Sequence, residues 1–534
     1  MADDLGLLAA HGAARGARGA NCDLDLPKSA ATITAITDRQ FRKSVRSAAV
    51  WIWISAVWIS AITCTVGIAV FRIAGTVGNC VGRQRANGIC HRIASDKQHP
   101  TLEALVSSTS TKSSESLAST AEAYVPPADQ RFWIRAIRGI GICVLPILVA
   151  LYVGATSFGG SFIPWHPNMV DLEIYRRAGS VLLGGGDFYD LSGQLQFLYP
   201  PVAAVLAVPL SLLPPTVVQI GWTAAGAVAL VAILHRFGLS GWLLSLASAV
   251  VVYVVEPVVQ TLAFGQLGIF LVALVVLDLA PGPRVFSRRV LPEGVLTAVA
   301  TALKLTPAIF VVYLLAVRKF RAFWVAVITG LAVTLISAAI VPAASYRFWT
   351  RLAHGDTGLG HSVIYYTNQS LMADIVRIFG LGPDPAIVGL VLSAVVALAG
   401  VWAAMLWHRL GDVRLAVNLC GVAGLLASPV SLLHHFVWVV PLAMSLLERR
   451  PISPRRLPAW FLAVGWLFVG WVVVAPFTDL PNGADVELQW TWSQHLLASI
   501  TAVVGLVLLA GAILIARPRV LTIFARPGRK SLAP

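Results

Sequence analysis

A few polar residues stand out in a chain that is otherwise apolar. An acid pair, Asp171 and Glu173, lies in the stretch HPNMVDLEIYRRAGSVLLGGGDFYD (166–190). A single lysine, Lys304, interrupts the apolar-rich run 291–317. Adjacent histidines, His434 and His435, close SPVSLLHHF (428–436). Gln266 in FGQ (264–266), Asn368 and Gln369 in YYTNQSL (365–371), and Tyr199 ahead of a proline pair add uncharged donors and acceptors. An acid, a lysine and a histidine pair around one membrane-facing cavity would suit an anionic lipid headgroup.

Each of these residues also has a plainer structural reading. Glu173 has basic neighbours and reads as an ion-pair partner. Asp187 and Asp190 flank three glycines and read as turn formers, because those glycines lack the spacing of a phosphate loop. Ser370 and its neighbours could cap the next helix. Adjacent residues on a helix face about 100° apart, so one of the two histidines should be structural. Six scattered cysteines show no second pair at ligand spacing, so no metal or other cofactor is expected.

The elements that must position these groups are membrane helices. The 534 residues are 57% hydrophobic and 12% charged, about half the charge of an average globular domain. Apolar runs near the roughly 20 residues that span a bilayer recur along the chain. The net charge of +15 sits in short clusters between these runs. That is the pattern of cytoplasmic loops rather than of a nucleic-acid surface. The fold class expected is an all-α polytopic membrane protein with roughly twelve spans. The domain would cover 131–516, followed by a basic cytoplasmic tail at 517–534. Residues 1–125 look different, with an apolar stretch at 50–71 and a Ser/Thr-rich linker. They read either as an added anchor with its linker or as an upstream extension from a misassigned start.

Alternating sidedness from the basic stretch Arg131–Arg138 puts the acidic island outside. It also puts the outer turns near Glu256, FGQ, YYTNQSL and SPVSLLHHF on that side. The segment 199–215, bounded by proline pairs, reads as a partly inserted helix. Lys304 admits two readings. One long helix would leave it at the bilayer centre, at a cost of roughly 2.5–3.5 kcal/mol or more. A short hairpin would put it at the outer face with both flanking basic clusters inside. The hairpin is the favoured reading.

The ordered set VDLEIYRRAGSVLLGGGDFYD, FLYPPVAAVLAVPLSLLP, FGQLGIFL, KLTPAIFVVYLLAVRKFRA, YYTNQSL and SPVSLLHHFVW resembles the actinobacterial polyprenyl-phosphate-mannose-dependent α-mannosyltransferases. These are GT-C class membrane enzymes of phosphatidylinositol mannoside, lipomannan and lipoarabinomannan synthesis. The resemblance covers about 131–516 and does not choose a member. It implies a lipid-linked mannose donor used at the extracytoplasmic face of the plasma membrane, a phosphatidylinositol mannoside or lipoglycan acceptor, an α-(1→2) product and inversion at C1. It also implies an acid of the first external loop as general base, which matches Asp171, with Glu173 second. The departing lipid phosphate would fall to Lys304, His434 and His435, and substrate contacts to Gln266, Asn368, Gln369 and Tyr199. An arabinofuranosyltransferase with a decaprenyl donor is the alternative within the class. A lipid or glycolipid transporter is the alternative outside it, although no internal repeat is visible.

Overall fold

The structure, a computed structural model, describes residues 128–156, 169–191, 196–284, 289–354, 360–448 and 457–524. The expected anchor at 50–71, the linker after it and the end of the basic tail lie outside the described residues. Most of the described chain belongs to a compact unit that includes 141–534. The first turns of helix α1 belong to a second unit, 47–140.

Among the described residues regular structure is helical, apart from one antiparallel bridge between Asn368 and Leu432. The chain runs through α1 (Ala128–Thr156), α2 (Val170–Leu183), α3 (Pro201–Ser211), α4 (Pro215–Arg236), α5 (Gly241–Val254) and α6 (Glu256–Phe264). It continues through α7 (Gly268–Leu279), α8 (Val295–Leu303), α9 (Ala308–Ala316), α10 (Phe320–Ile340), α11 (Pro342–Ala353) and α12 (Leu371–Phe379). It ends with α13 (Pro383–Arg409), α14 (Val413–Ala427), a 3₁₀ turn at Leu433–Trp438, α15 (Val439–Leu447), α16 (Ala459–Val474) and α17 (Trp492–Phe524).

Among the described residues six helices, α1, α4, α10, α13, α16 and α17, are long and apolar enough to cross a bilayer. The pair α5 and α6, bent by 78°, would make a seventh. By length and composition this does not reach the roughly twelve crossings expected from sequence, and the other apolar runs form shorter helices. Counting apolar runs treats every run as a crossing, but α7 has only 12 residues and α14 has 15. Twelve residues extend about 18 Å, well short of a hydrocarbon core of about 30 Å. The long helices carry exposed apolar faces, for example Ile328, Leu331 and Leu335 on α10 and Val391, Val395 and Leu398 on α13. Those faces need lipid around them. Helix α14 is buried on all sides from Leu415 to Ala423. Its sequence there is apolar all round except for Asn418, whose amide donates to the Pro441 carbonyl and to Ser445.

One end of the bundle is tied by arginines. Arg236, at the end of α4, donates to the carbonyls of Leu277 (2.6 Å) in the last turn of α7 and of Ala280 (2.8 Å) and Pro283 (3.2 Å) just beyond it. The Leu277 and Ala280 carbonyls are ones for which the helix end has no internal partner. Arg414 donates to the Pro281 carbonyl and pairs with Glu448. Asp278 accepts from the backbone N–H groups of Gly294 (2.9 Å) and Thr297 (3.0 Å), and so caps α8 from another helix.

The same end settles the reading of Lys304. Glu293, just before α8, pairs with Lys319, just after α9, at 2.8 Å. The two limbs therefore start and finish together. The segment is a hairpin of two nine-residue helices, each about 14 Å long. Lys304 lies in its tip, at the opposite end of the bundle from the arginines.

Candidate functional site

The remaining breaks in the bundle gather at the tip of this hairpin. Asp171 opens α2 and Tyr175 follows four residues later on the same face. The hydroxyl of Tyr175 lies 2.8 Å from that of Tyr199 and 3.2 Å from Oε1 of Gln266. The Tyr199 hydroxyl donates to the same Oε1 at 3.1 Å. With its oxygen held by phenols, the Gln266 amide turns its N–H groups to the Asp171 carboxylate, to which it is hydrogen-bonded.

Glycine makes this approach possible. Gly265 ends α6 at φ +70°, and a Cβ there would meet the Cβ of Leu172 at 2.5 Å. Only glycine lets the α6 backbone come so close to the first turn of α2. The FGQ triplet is thus a turn that presents Gln266 to the acid. Gly179 plays the same part on the other side of α2, where a Cβ would lie 2.8 Å from the Ala207 carbonyl of α3.

The Asp171 carboxyl is raised from 3.8 to about 6. Burial raises it, and the Gln266 hydrogen bond and the Lys304 charge pull it partly back. It is therefore mainly ionised at neutral pH and remains a competent proton acceptor.

Lys304 stands 5.4 Å from the centre of the Tyr199 ring, and its Nζ is 2.7 Å from Nε2 of His435. The other ring nitrogen of His435 accepts from the backbone N–H of Leu432 at 3.1 Å. His434 departs from the paired role expected for it. Its backbone carbonyl accepts from Thr261 at 2.8 Å, and its ring packs edge-on against Phe264. Its Nε2 is buried without a hydrogen-bond partner. The two rings face different neighbours, as the step of about 120° along a 3₁₀ turn requires. A cavity continues from Lys304 and His435 into the bundle, walled by Leu271, Val275, Phe310, Gly424 and Trp438.

Two of the proposed substrate contacts are instead built into the frame. Asn368 is fully buried. Its amide donates to the carbonyls of Val363 (2.8 Å) and Pro429 (3.1 Å), and its oxygen accepts from Ser431 (2.8 Å) and Ser370 (3.2 Å). The side-chain oxygen of Gln369 accepts from Thr501 at 2.6 Å, and its amide nitrogen lies 3.4 Å from the Tyr366 carbonyl. A buried amide with its bonds satisfied inside the protein has little left for a ligand. These residues pin YYTNQSL to SPVSLLHHF and to α17. Ser370 caps α12 by accepting from Ala373 at 3.1 Å.

Glu173 pairs with Arg176 at 2.7 Å. Asp187 accepts from the Tyr189 N–H at 2.8 Å and pairs with Arg347, as a turn former would. Tyr175 was not singled out from the sequence, although its spacing of four from Asp171 is the signal that a helix would align them. Thr501 lies in the middle of an apolar helix and gave no such signal. Among the described residues no group of three or more His, Cys, Asp or Glu side chains could hold a metal ion.

A helical membrane protein with a part-buried acid near a lysine and imidazole pair at the ends of broken helices has the make-up of a membrane glycosyltransferase. The chain belongs to glycosyltransferase family 87, whose family pattern matches residues 197–429. It is 30% identical over 363 residues to the polyprenol-phosphate-mannose-dependent alpha-(1-2)-phosphatidylinositol mannoside mannosyltransferase of Mycolicibacterium smegmatis, covering 61% of this chain and 80% of the relative. It is 30% identical over 386 residues to the protein of the same description from Mycobacterium tuberculosis, covering 66% and 86%. It is 32% identical over 381 residues to a Mycolicibacterium smegmatis alpha-(1-2)-phosphatidylinositol pentamannoside mannosyltransferase, covering 66% and 89%. No solved structure matches the chain.

Proposed function

We propose that the protein transfers mannose from polyprenyl-phosphate-mannose to a phosphatidylinositol mannoside or a related lipoglycan. The reaction forms an α-(1→2) linkage at the extracytoplasmic face of the plasma membrane. The observation that carries this reading is the pairing of one part-buried carboxylate, Asp171, with the Lys304–His435 pair at the same end of the bundle. The names of the mycobacterial relatives support the sugar, the donor and the acceptor. The arginine-tied end of the bundle supports the sidedness, because basic loops stay inside.

The chemistry follows from the charges. A sugar hydroxyl is a weak nucleophile, so Asp171 takes its proton as the hydroxyl oxygen bonds to C1 of the transferred mannose. The bond from C1 to the phosphate oxygen breaks on the opposite face, and its electron pair leaves with the phosphate. Attack from the side away from the departing phosphate inverts C1, from a β-linked donor to an α-linked product. The phosphate goes from one negative charge as a diester toward two as a monoester. Lys304 and the Nε2–H of His435 lie where they can stabilise that gain. Gln266, held by Tyr175 and Tyr199, keeps the Asp171 carboxylate oriented, and no metal takes part in the reaction.

Purified protein in detergent, given radiolabelled polyprenyl-phosphate-mannose and a phosphatidylinositol mannoside, should form a longer mannoside in the presence of EDTA. No transfer of mannose with any such acceptor, from protein that remains folded, would overturn the reading. Transfer abolished by EDTA and restored by a divalent ion would overturn its metal independence.

A further inference from the structure

The Lys304–His435 pair carries a constraint in its hydrogen-bond polarity. The Leu432 N–H donates to Nδ1 of His435, so Nδ1 holds a lone pair rather than a proton. A neutral imidazole has one N–H, which must then sit on Nε2. That nitrogen lies 2.7 Å from Nζ of Lys304. An ammonium has three donors and no acceptor, and a donor facing a donor at this distance is repulsive. Only the free amine of Lys304, with its lone pair toward Nε2–H, makes this contact a hydrogen bond.

We infer that the Lys304–His435 pair is held one proton short of a cation, and that the lipid-phosphate donor binds together with one proton taken up by Lys304. The amine nitrogen gains the proton from solvent and becomes an ammonium. The Nε2–H of His435 is then released from the amine. Both groups point N–H donors at the phosphate, Nζ–H from the lysine and Nε2–H from the histidine. In the pair as it stands, the amine takes the hydrogen bond that a phosphate oxygen would accept. The inference rests on the proposed function, because it assigns the pair to the donor phosphate.

The surroundings bear on the proton from both sides. Asp171 on α2 and the face of the Tyr199 ring favour the ammonium. Burial opposes it, and the Lys304 charge in turn helps to keep His434 and His435 on the 3₁₀ turn neutral. Lys304 lies in the hairpin tip, outside every long apolar helix, and burial pushes its ammonium down to about 8 against the Asp171 charge. A bound phosphate monoanion raises it again, so the proton enters on binding at pH values above the lowered value.

The test is calorimetric titration of the full chain in detergent with a short-chain prenyl phosphomannose. Its diester phosphate does not itself titrate near neutrality. At pH 9, heats measured in buffers of different ionisation enthalpy should report uptake of ~0.9 proton per donor bound, since a group at about 8 is then about nine-tenths deprotonated. In Lys304→Arg, which stays charged at every pH, uptake should vanish while the same ligand still binds. Uptake below about 0.2 proton at pH 9 in the wild-type protein, with binding intact, would overturn the inference and leave the proposed function standing. Failure of folded wild-type protein to bind the phosphomannose would overturn the function reading and this inference with it.

Discussion

Replacing Asp171 by Asn should abolish catalysis and stabilise the fold. The substitution keeps size and shape and removes the proton acceptor. Loss of a general base costs about 10²–10⁴-fold in rate. The stability effect follows from the same burial. The carboxyl is raised from 3.8 in the unfolded chain to about 6 in the folded one. Folding therefore favours its protonated form. The cost of burying the ionised form is absent below about 3.8, grows through that window and is complete above about 6. A shift of about 2 units corresponds to about 3 kcal/mol at pH 7. That is an upper bound, because the side chain is partly exposed and water screens it. Two assays read the result, mannosyl transfer in detergent and thermal unfolding of the same preparation. At pH 7 the variant should lose at least ~100-fold in rate while its unfolding midpoint rises. At pH 4 the midpoints of the two proteins should converge. In the wild-type protein kcat/KM should fall to about a tenth of its plateau at pH 5, as a base with a value of about 6 requires. Retention of more than about a tenth of the rate in the variant would refute Asp171 as the base. A lower midpoint would refute the claim that its charge is held against a desolvation cost.

Glu173→Gln should lower transfer only a few-fold at most, because Glu173 pairs with Arg176 at the surface of α2, and exposed pairs contribute about 0–1 kcal/mol. Gly265→Ala should cut transfer strongly at near-normal membrane levels, because its Cβ would push Leu172 and with it the first turn that carries Asp171. Full activity would show that this turn does not set the site. Asn368→Ala should act through stability, lowering the unfolding midpoint by the equivalent of about 1–3 kcal/mol for each unsatisfied buried partner. A raised KM with an unchanged midpoint would return it to the substrate. A reporter active only outside the cytoplasm should be active when fused after Asp187 or Asp485 and silent after Lys319 or Arg409, and the reverse pattern would invert the proposed sidedness.

Much of this protein is written in local properties of the chain. Apolar runs and interspersed arginines mark membrane helices and their basic end, because lipid and water sort side chains residue by residue. The chemistry-bearing groups were also legible. An acid in a polar island, a lysine amid apolar sequence and a histidine pair are costly enough in such a chain to announce themselves. Tertiary structure decided what these groups do to one another. Whether Lys304 sits at a hairpin tip or in mid-span turns on Glu293 meeting Lys319, and a window of apolar residues does not contain that pairing. Whether an apolar run crosses depends on its neighbours, since α7 and α14 can remain short where other helices shield their ends. Asn368 and Gln369 looked like ligand groups because polar residues near a site attract that reading. The fold surrounds them with carbonyls, N–H groups and the Thr501 hydroxyl, and a satisfied amide becomes a brace. The proton on His435 is decided further still from sequence, by the direction of a single backbone N–H at Leu432.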